Sequence, residues 1–167
     1  MTDKYAVFGN PIAHSKSPEI HRQFAEQTKQ DLSYSKQLVA EDGFEAAANA
    51  FFADGGKGLN ITVPFKQDAY SYVARTTPRA RRAGAVNTLS MQADGTVLGD
   101  TTDGVGLVND VVHNLGWQIR HKKVLILGVG GMLGRACFDY FDNLDEFETF
   151  GTWRKPTLDK IRAFDAS

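Results

Sequence analysis

The fold is decided by the stretch Gly58-Leu59-Asn60-Ile61-Thr62-Val63-Pro64-Phe65-Lys66, which joins a short strand to the start of a helix. Residues two apart in a strand share a face, so Asn60 and Thr62 are expected to project together. Lys66 then opens the next helix at the carboxyl edge of the sheet, where α/β proteins bind ligands. The helix dipole disfavours a lysine at this position. That misfit favours a role for Lys66 in a site, although an exposed surface lysine explains the stretch equally well.

The same strand-to-helix pattern repeats on both sides of this stretch. Apolar runs predict strands over residues 5–9, 32–39, 58–63, 86–92, 97–100 and 122–127, and helical spacing predicts helices over 18–28, 42–53, 66–74 and 104–115. Ser17 and Asp103 are the expected N-caps of the first and last helices. The turn Ala93-Asp94-Gly95 predicts a hairpin. Such alternation predicts an α/β fold: a three-layer domain whose mostly parallel sheet has helices on both faces.

Three further clusters place short polar side chains at predicted strand ends. Ser15 and Ser17 lie in the segment 9–18, Asn87 in Ala85-Val86-Asn87-Thr88, and Asp103 in the segment 99–104. Two hydroxyls two residues apart, beside a helix start, could face a ligand with several hydroxyl groups. Helix capping by Ser17 and ordinary turn chemistry explain the same residues without a ligand.

A glycine turn follows the last apolar run, which predicts the start of a Rossmann-like dinucleotide-binding domain. Backbone N–H groups at Gly128, Gly130 and Gly131 would face a pyrophosphate, since a strand precedes the turn and a helix follows it. Arg154 and Lys155 after the next strand favour a 2′-phosphate, hence NADP. A tight turn and a solvated basic loop are the alternatives. The composition shifts near Arg120, which predicts domains over 1–120 and 121–167.

Composition limits the class of protein. The formal net charge is −1, with 42% apolar and 23% charged residues, so no basic excess points to nucleic acid. The single Cys137 cannot form an internal disulfide and is expected to be a small buried residue, and no Cys/His spacing predicts a metal site. There is no signal-peptide pattern and no run near the ~20 apolar residues of a membrane span, which predicts a cytoplasmic protein with no membrane partner.

Taken in order, the four polar clusters resemble the motifs of the shikimate dehydrogenase family. Those motifs read G-N-P-I-x-H-S-x-S-P, N-V-T-x-P-x-K, A-V-N-T and G-x-N-T-D-G, and here they span 9–18, 60–66, 85–88 and 99–104. The resemblance implies that substrate is bound by Ser15, Ser17, Asn60, Thr62, Lys66, Asn87 and Asp103. It also implies that Lys66 and Asp103 are catalytic, with Asp103 paired to the lysine. The sequence departs from the family at Thr101, usually Asn, and at Pro78, usually Glu near the cofactor.

The family resemblance implies NADPH-dependent, reversible reduction of 3-dehydroshikimate to shikimate, in chorismate and aromatic amino-acid biosynthesis. A quinate/shikimate dehydrogenase and a non-catalytic shikimate-binding fragment are the alternatives. Family members are longer, which implies a truncated NADP-binding half and leaves the turnover of this chain and its oligomeric state open. Beyond Gly128 the spacing Gly128, Gly131 and Gly134 also resembles the N-terminus of an extended short-chain reductase.

Overall fold

The computed structural model describes residues 2–119, 121–145, 147–153 and 161–163. The chain divides into two compact units. The first comprises residues 1–77 and 85–100, and the second comprises 78–84 and 101–167. The domain boundary expected between residues 120 and 121 stays a prediction.

The first unit is built on a six-stranded sheet in the order β2-β1-β3-β5-β6-β4. Its strands are β1 Asp3–Gly9, β2 Leu32–Leu38, β3 Gly56–Ile61, β4 Arg75–Thr76, β5 Thr88–Met91 and β6 Val97–Asp100. Its helices are α1 Ser17–Thr28, α2 Phe44–Ala53 and α3 Lys66–Tyr72. Three of the five strand pairings are parallel, and β5 runs antiparallel to both its neighbours. This confirms the mostly parallel sheet and the hairpin between β5 and β6.

One face of this sheet carries the apolar core. Phe8 and Leu59 are almost completely buried. The ring of Phe8 contacts Phe44 and Phe51 of α2 edge-on, at centroid distances of 6.4 and 5.9 Å. Burial of each such side chain stabilises the fold by about 1.5–3 kcal/mol. Because side chains alternate along a strand, the opposite face receives Asn60 and its partly polar neighbours.

The described residues of the second unit form three α-helices and a three-stranded parallel sheet in the order β7-β8-β9. Its elements are α4 Pro78–Ala83, α5 Asp103–Asn109, β7 Lys123–Leu127, α6 Met132–Asp142, β8 Glu148–Trp153 and β9 Ile161–Ala163. A π-helical turn over Asp110–Asn114 continues α5. Cys137 of α6 is buried, as expected, and this burial, together with the charge of Asp103, raises the pKa of its thiol.

Two helix starts differ from the sequence-based expectation. Ser17 is the first residue of α1, and Lys16 occupies its N-cap without a side-chain capping bond. Likewise α5 begins at Asp103 itself, after Thr102. The Ser17 hydroxyl instead accepts a hydrogen bond from Ser15 Oγ, and it does not cap the helix. No helix among the described residues is both long and apolar enough to cross a membrane.

Candidate functional site

The loops that follow β1 and β3 lie side by side at the carboxyl edge of the first sheet. The two strands are parallel neighbours, and Asn10 N donates to Val63 O at 3.0 Å between the loops. Thr62 lies directly over Gly9, since a Cβ built on Gly9 would be 2.5 Å from its methyl group. Each loop contains a cis X-Pro bond, Asn10–Pro11 and Val63–Pro64. The first two polar motifs therefore share one edge.

Asn87 joins this edge from the other side. Its carbonyl accepts from Ile61 N at 2.8 Å, and its own N–H donates to Asp100 O at 2.9 Å. The preceding residue, Val86, donates to the carbonyl of Lys66 at 2.9 Å, which ties the start of α3 to the same segment. The side chains of Lys66 and Asn87 are half-buried, as expected at a solvent-facing ligand site.

The polar side chains at this edge form one group, most of whose members are joined by hydrogen bonds. Ser15 Oγ donates to Ser17 Oγ at 3.1 Å, and Ser17 in turn acts to lower the pKa of the Tyr34 phenol. Tyr34 donates to Asn60 Oδ1 at 2.7 Å, and Asn60 Nδ2 lies 3.5 Å from Thr88 Oγ1. The Thr88 hydroxyl donates to the Asn87 side-chain carbonyl at 2.8 Å. We call this set the polar chain; its members are Ser15, Ser17, Tyr34, Asn60, Thr88 and Asn87.

His21 of α1 adds a second contact to the centre of the polar chain. Its Nε2 lies 3.1 Å from Asn60 Oδ1, and its ring meets the Tyr34 ring edge-on at a centroid distance of 4.1 Å. Burial lowers the pKa of His21. Burial also raises the pKa of Tyr34 to about 12, against the opposing effect of the hydrogen bond from Ser17. Both groups are therefore neutral near pH 7.

Three residues of this site were not predicted from the sequence to bind substrate: Tyr34, His21 and Thr88. Thr88 is the last residue of the A-V-N-T motif, in which only Asn87 was predicted to bind substrate. Tyr34 lies on an edge strand of mixed polarity, and a half-buried tyrosine among exposed positions was the available signal. The alternation of β2 places it in register with Tyr5 and on the face that carries Asn60.

Asp103 belongs to the second unit, where it is the half-buried first residue of α5. The neighbouring Gly104 packs closely on α6, because a Cβ built there would lie 3.4 Å from Ala136. The charge of Asp103 acts on Cys137, which also belongs to α6. The pairing of Asp103 with Lys66 stays a prediction.

The glycine turn of the second unit has the form expected for a phosphate-binding turn. Gly128 has φ +73° and donates its N–H to Thr152 Oγ1 at 3.2 Å, and Gly131 is the N-cap of α6. Gly130 and Gly131 are exposed, and the N–H of Gly131 donates to the Gly128 carbonyl at 3.0 Å within the turn. A Cβ on Gly134 would lie only 2.3 Å from the Gly128 carbonyl oxygen, which explains glycine at that position. Arg154 and Lys155 lie outside the described residues.

Two surface depressions of the first unit differ in their relation to the polar chain. One of about 640 Å³ lies between α1 and β2; Tyr34 lines it, but none of the residues expected to bind substrate does. Another of about 310 Å³ on the sheet face is lined by Asn60 and Thr88, together with Tyr5 and Lys57. The chemistry favours the second place, because precisely placed polar groups fix the orientation of a ligand. Among the described residues no group of His, Cys, Asp or Glu side chains could hold a metal ion.

These features define an α/β protein in which a sheet with a polar carboxyl edge precedes a βαβ unit with a glycine turn after its first strand. The family profile described as the shikimate dehydrogenase substrate binding domain matches residues 7–89. A curated relative from Cellvibrio japonicus (strain Ueda107), named shikimate dehydrogenase (NADP(+)), is 66% identical over 131 residues, which are 78% of this chain and 47% of that protein. The chain belongs to the shikimate dehydrogenase family.

Solved structures extend the similarity over nearly the whole chain. The crystal structure of an Ael1 enzyme from Pseudomonas putida has a TM-score of 0.89 and 36% identity, over 98% of this chain and 63% of that one. The shikimate 5-dehydrogenase of Thermus thermophilus, solved with NADP(H) and shikimate, has a TM-score of 0.79 and 28% identity, over 93% and 57%. The chain spans about half the length of the curated relatives it matches.

Proposed function

We propose that this chain forms the substrate-binding part of a shikimate dehydrogenase, which reduces 3-dehydroshikimate reversibly to shikimate with NADPH. The observation that carries the proposal is the polar chain at the carboxyl edge of the first sheet. It contains Ser15, Ser17, Asn60 and Asn87, four of the residues that the family motifs assign to shikimate. Hydroxyl and amide groups of this kind suit a small ring with several hydroxyls and one carboxylate.

Lys66 is the proposed acid of this reaction. When bound, NADPH supplies a hydride to the ketone carbon, and a proton must then reach the forming alkoxide. The lysine ammonium can donate that proton and stabilise the developing negative charge. The α3 start is held by the bond from Val86 N, which favours a fixed position for the base of the Lys66 side chain. Asp103 is the proposed partner that orients the ammonium.

The glycine turn supports NADP as the proposed cofactor. The exposed backbone of Gly130 and Gly131 opens α6, and the positive end of a helix dipole favours a pyrophosphate at that position. The close contact at Gly134 leaves the turn no room for a side chain at that position. Arg154 and Lys155 remain the residues proposed to bind the 2′-phosphate of NADP.

The test combines calorimetric titration of shikimate with a steady-state assay of NADP⁺ reduction. Shikimate should bind the chain saturably, and Asn60→Ala should weaken that binding. Lys66→Ala should lower turnover by about 10²–10⁴-fold and leave shikimate affinity within a few-fold, since it removes a proton donor rather than the polar chain.

Lys122→Ala is the matched control, because Lys122 is an exposed lysine of the second unit, just before β7. It should change neither quantity. Binding without any turnover by the unmodified chain would support the non-catalytic shikimate-binding alternative, and competition with quinate would identify the broader dehydrogenase. A folded chain that binds no shikimate would exclude all three.

A further inference from the structure

The polar chain has a consistent donor direction. Tyr34 donates to the side-chain carbonyl of Asn60, the Asn60 amide group points toward Thr88, and Thr88 donates to the carbonyl of Asn87. An amide carbonyl oxygen has two acceptor positions. On Asn60 they face Tyr34 O–H at 2.7 Å and His21 Nε2 at 3.1 Å. A rotation of this amide by 180° would place its NH₂ group against the phenol and break the direction of the chain.

We infer that Tyr34 is a positioning residue: its hydroxyl fixes the amide orientation of Asn60 and, through Thr88, that of Asn87, so that both amides present N–H groups to hydroxyl oxygens of a polyhydroxylated ring. The inference rests on the proposed function, because it takes Asn60 and Asn87 to contact the substrate. It goes beyond the family motifs, none of which includes Tyr34 or assigns Thr88.

The surroundings of Tyr34 are those of a fixed donor. Its ring is held edge-on against His21 at 4.1 Å, which limits rotation of the side chain. Its phenol hydrogen is donated to Asn60 Oδ1 at 2.7 Å. Tyr34 thereby ties β2 to the Asn60 amide of β3, which is distant in the sequence.

Pre-oriented amides bind a ligand more tightly than amides free to rotate, because the cost of ordering them is removed before binding. Without the Tyr34 hydroxyl, the Asn60 amide can take its two orientations more equally, and only one offers a donor to the ligand. One hydrogen bond of this kind contributes about 0.5–1.5 kcal/mol. The expected loss of shikimate affinity on Tyr34→Phe is therefore about 2- to 12-fold.

Tyr72→Phe is a matched control. Tyr72 is the last residue of α3 in the same unit, and its hydroxyl donates to the side-chain carbonyl of Asn49 at 2.9 Å, outside the polar chain. The same change of side chain should leave shikimate affinity unaltered. Both variants keep an aromatic ring at their positions, so a general loss of packing would affect them alike.

A double-mutant cycle separates positioning from a direct contact. Tyr34→Phe should weaken shikimate binding in the unmodified chain and have no further effect in an Asn60→Ala background. The side-chain amide resonances of Asn60 should also shift in Tyr34→Phe without any ligand, and stay in place in Tyr72→Phe. An undiminished effect of Tyr34→Phe in the Asn60→Ala background, or unshifted Asn60 amide resonances, would overturn the inference.

These two readouts also separate this inference from the proposed function. If the unmodified chain binds no shikimate, the proposed function fails. The ligand-free amide resonances then still decide whether Tyr34 orients Asn60. If shikimate binds and the resonances do not move, the function stands and the positioning role falls.

Discussion

The carboxyl edge of the first unit and the glycine turn of the second unit are constructed by opposite means. The first consists of polar side chains, with hydrogen bonds from Ser15 to Ser17 and from Tyr34 through Asn60 and Thr88 to Asn87. The second consists of backbone groups: Gly131 N–H donates to the Gly128 carbonyl, and Gly134 allows close packing. A side-chain site should lose affinity when one hydroxyl is removed and keep its fold. A backbone site should lose its fold when one carbon is added.

Gly134→Ala is the substitution with the largest expected effect in this comparison. The new Cβ would lie 2.3 Å from the Gly128 carbonyl oxygen, and backbone atoms cannot give way as a flexible side chain can. We expect a loss of about 1–3 kcal/mol in the free energy of unfolding, the range of overpacked sites. NADP binding should be lost at the same time. Urea unfolding and calorimetric titration measure the two effects.

Gly106→Ala provides the control for this change. Gly106 lies in α5 of the same unit, and a Cβ there meets nothing within 4 Å. Alanine is a better helix former, so this variant should be neutral or slightly more stable. Gly134→Ala with unchanged stability would show that the turn relaxes freely, and the contrast between the two regions would fail.

Two threonines of β8 test the same comparison with a smaller expected change in the free energy of unfolding. Thr152 Oγ1 accepts from Gly128 N at 3.2 Å, whereas the buried Thr149 Oγ1 has no hydrogen-bond partner within the described part of the chain. Thr152→Val should cost about 0.5–1.5 kcal/mol, because it removes the acceptor of the turn. Thr149→Val should be neutral or stabilising, since it removes an unsatisfied buried hydroxyl.

Urea unfolding of both valine variants gives this comparison directly, because the chemical change is identical. Equal destabilisation would mean that valine is simply poorly accommodated in this strand. Nucleotide affinity provides an independent readout: it should fall in Thr152→Val and not in Thr149→Val.

Strand positions and the site motifs could be predicted from the sequence, because both depend on local patterns. The apolar run before Gly9 and the hairpin at Asp94 are examples, and the structure confirms both elements. The short elements β4 and α4 were missed, since the few residues of each carry no complete period. Both wrong N-caps, Ser17 and Asp103, are polar residues whose type suits a cap.

The polar chain itself could not be predicted, because its central member comes from an edge strand far from the motifs. Tyr34 contacts Asn60 only after β1 has paired with β2 on one side and β3 on the other. Sequence alternation fixes which face Tyr34 occupies, but the strand order that brings it to Asn60 is a tertiary property. The role of His21 could not be predicted for the same reason, because it contacts Asn60 from α1, which is distant in the sequence.

The smallest expected effect concerns the pH dependence of the first unit. Burial lowers the pKa of His21 below its ordinary value of 6.5, so the unfolded chain binds the proton more tightly than the folded one. The stability that neutral His21 contributes is present above pH 6.5 and is lost as the pH falls through the folded pKa. The unmodified chain should therefore lose more thermal stability between about pH 7.5 and pH 5.5 than His21→Phe.

His14→Phe is the control for this pH dependence, because His14 is an exposed histidine of the preceding loop. Its melting temperature should fall with acidification as steeply as that of the unmodified chain. An equally steep fall in His21→Phe would show that His21 titrates alike in the folded and unfolded states. In that case the burial of His21 at the polar chain would not change its affinity for the proton.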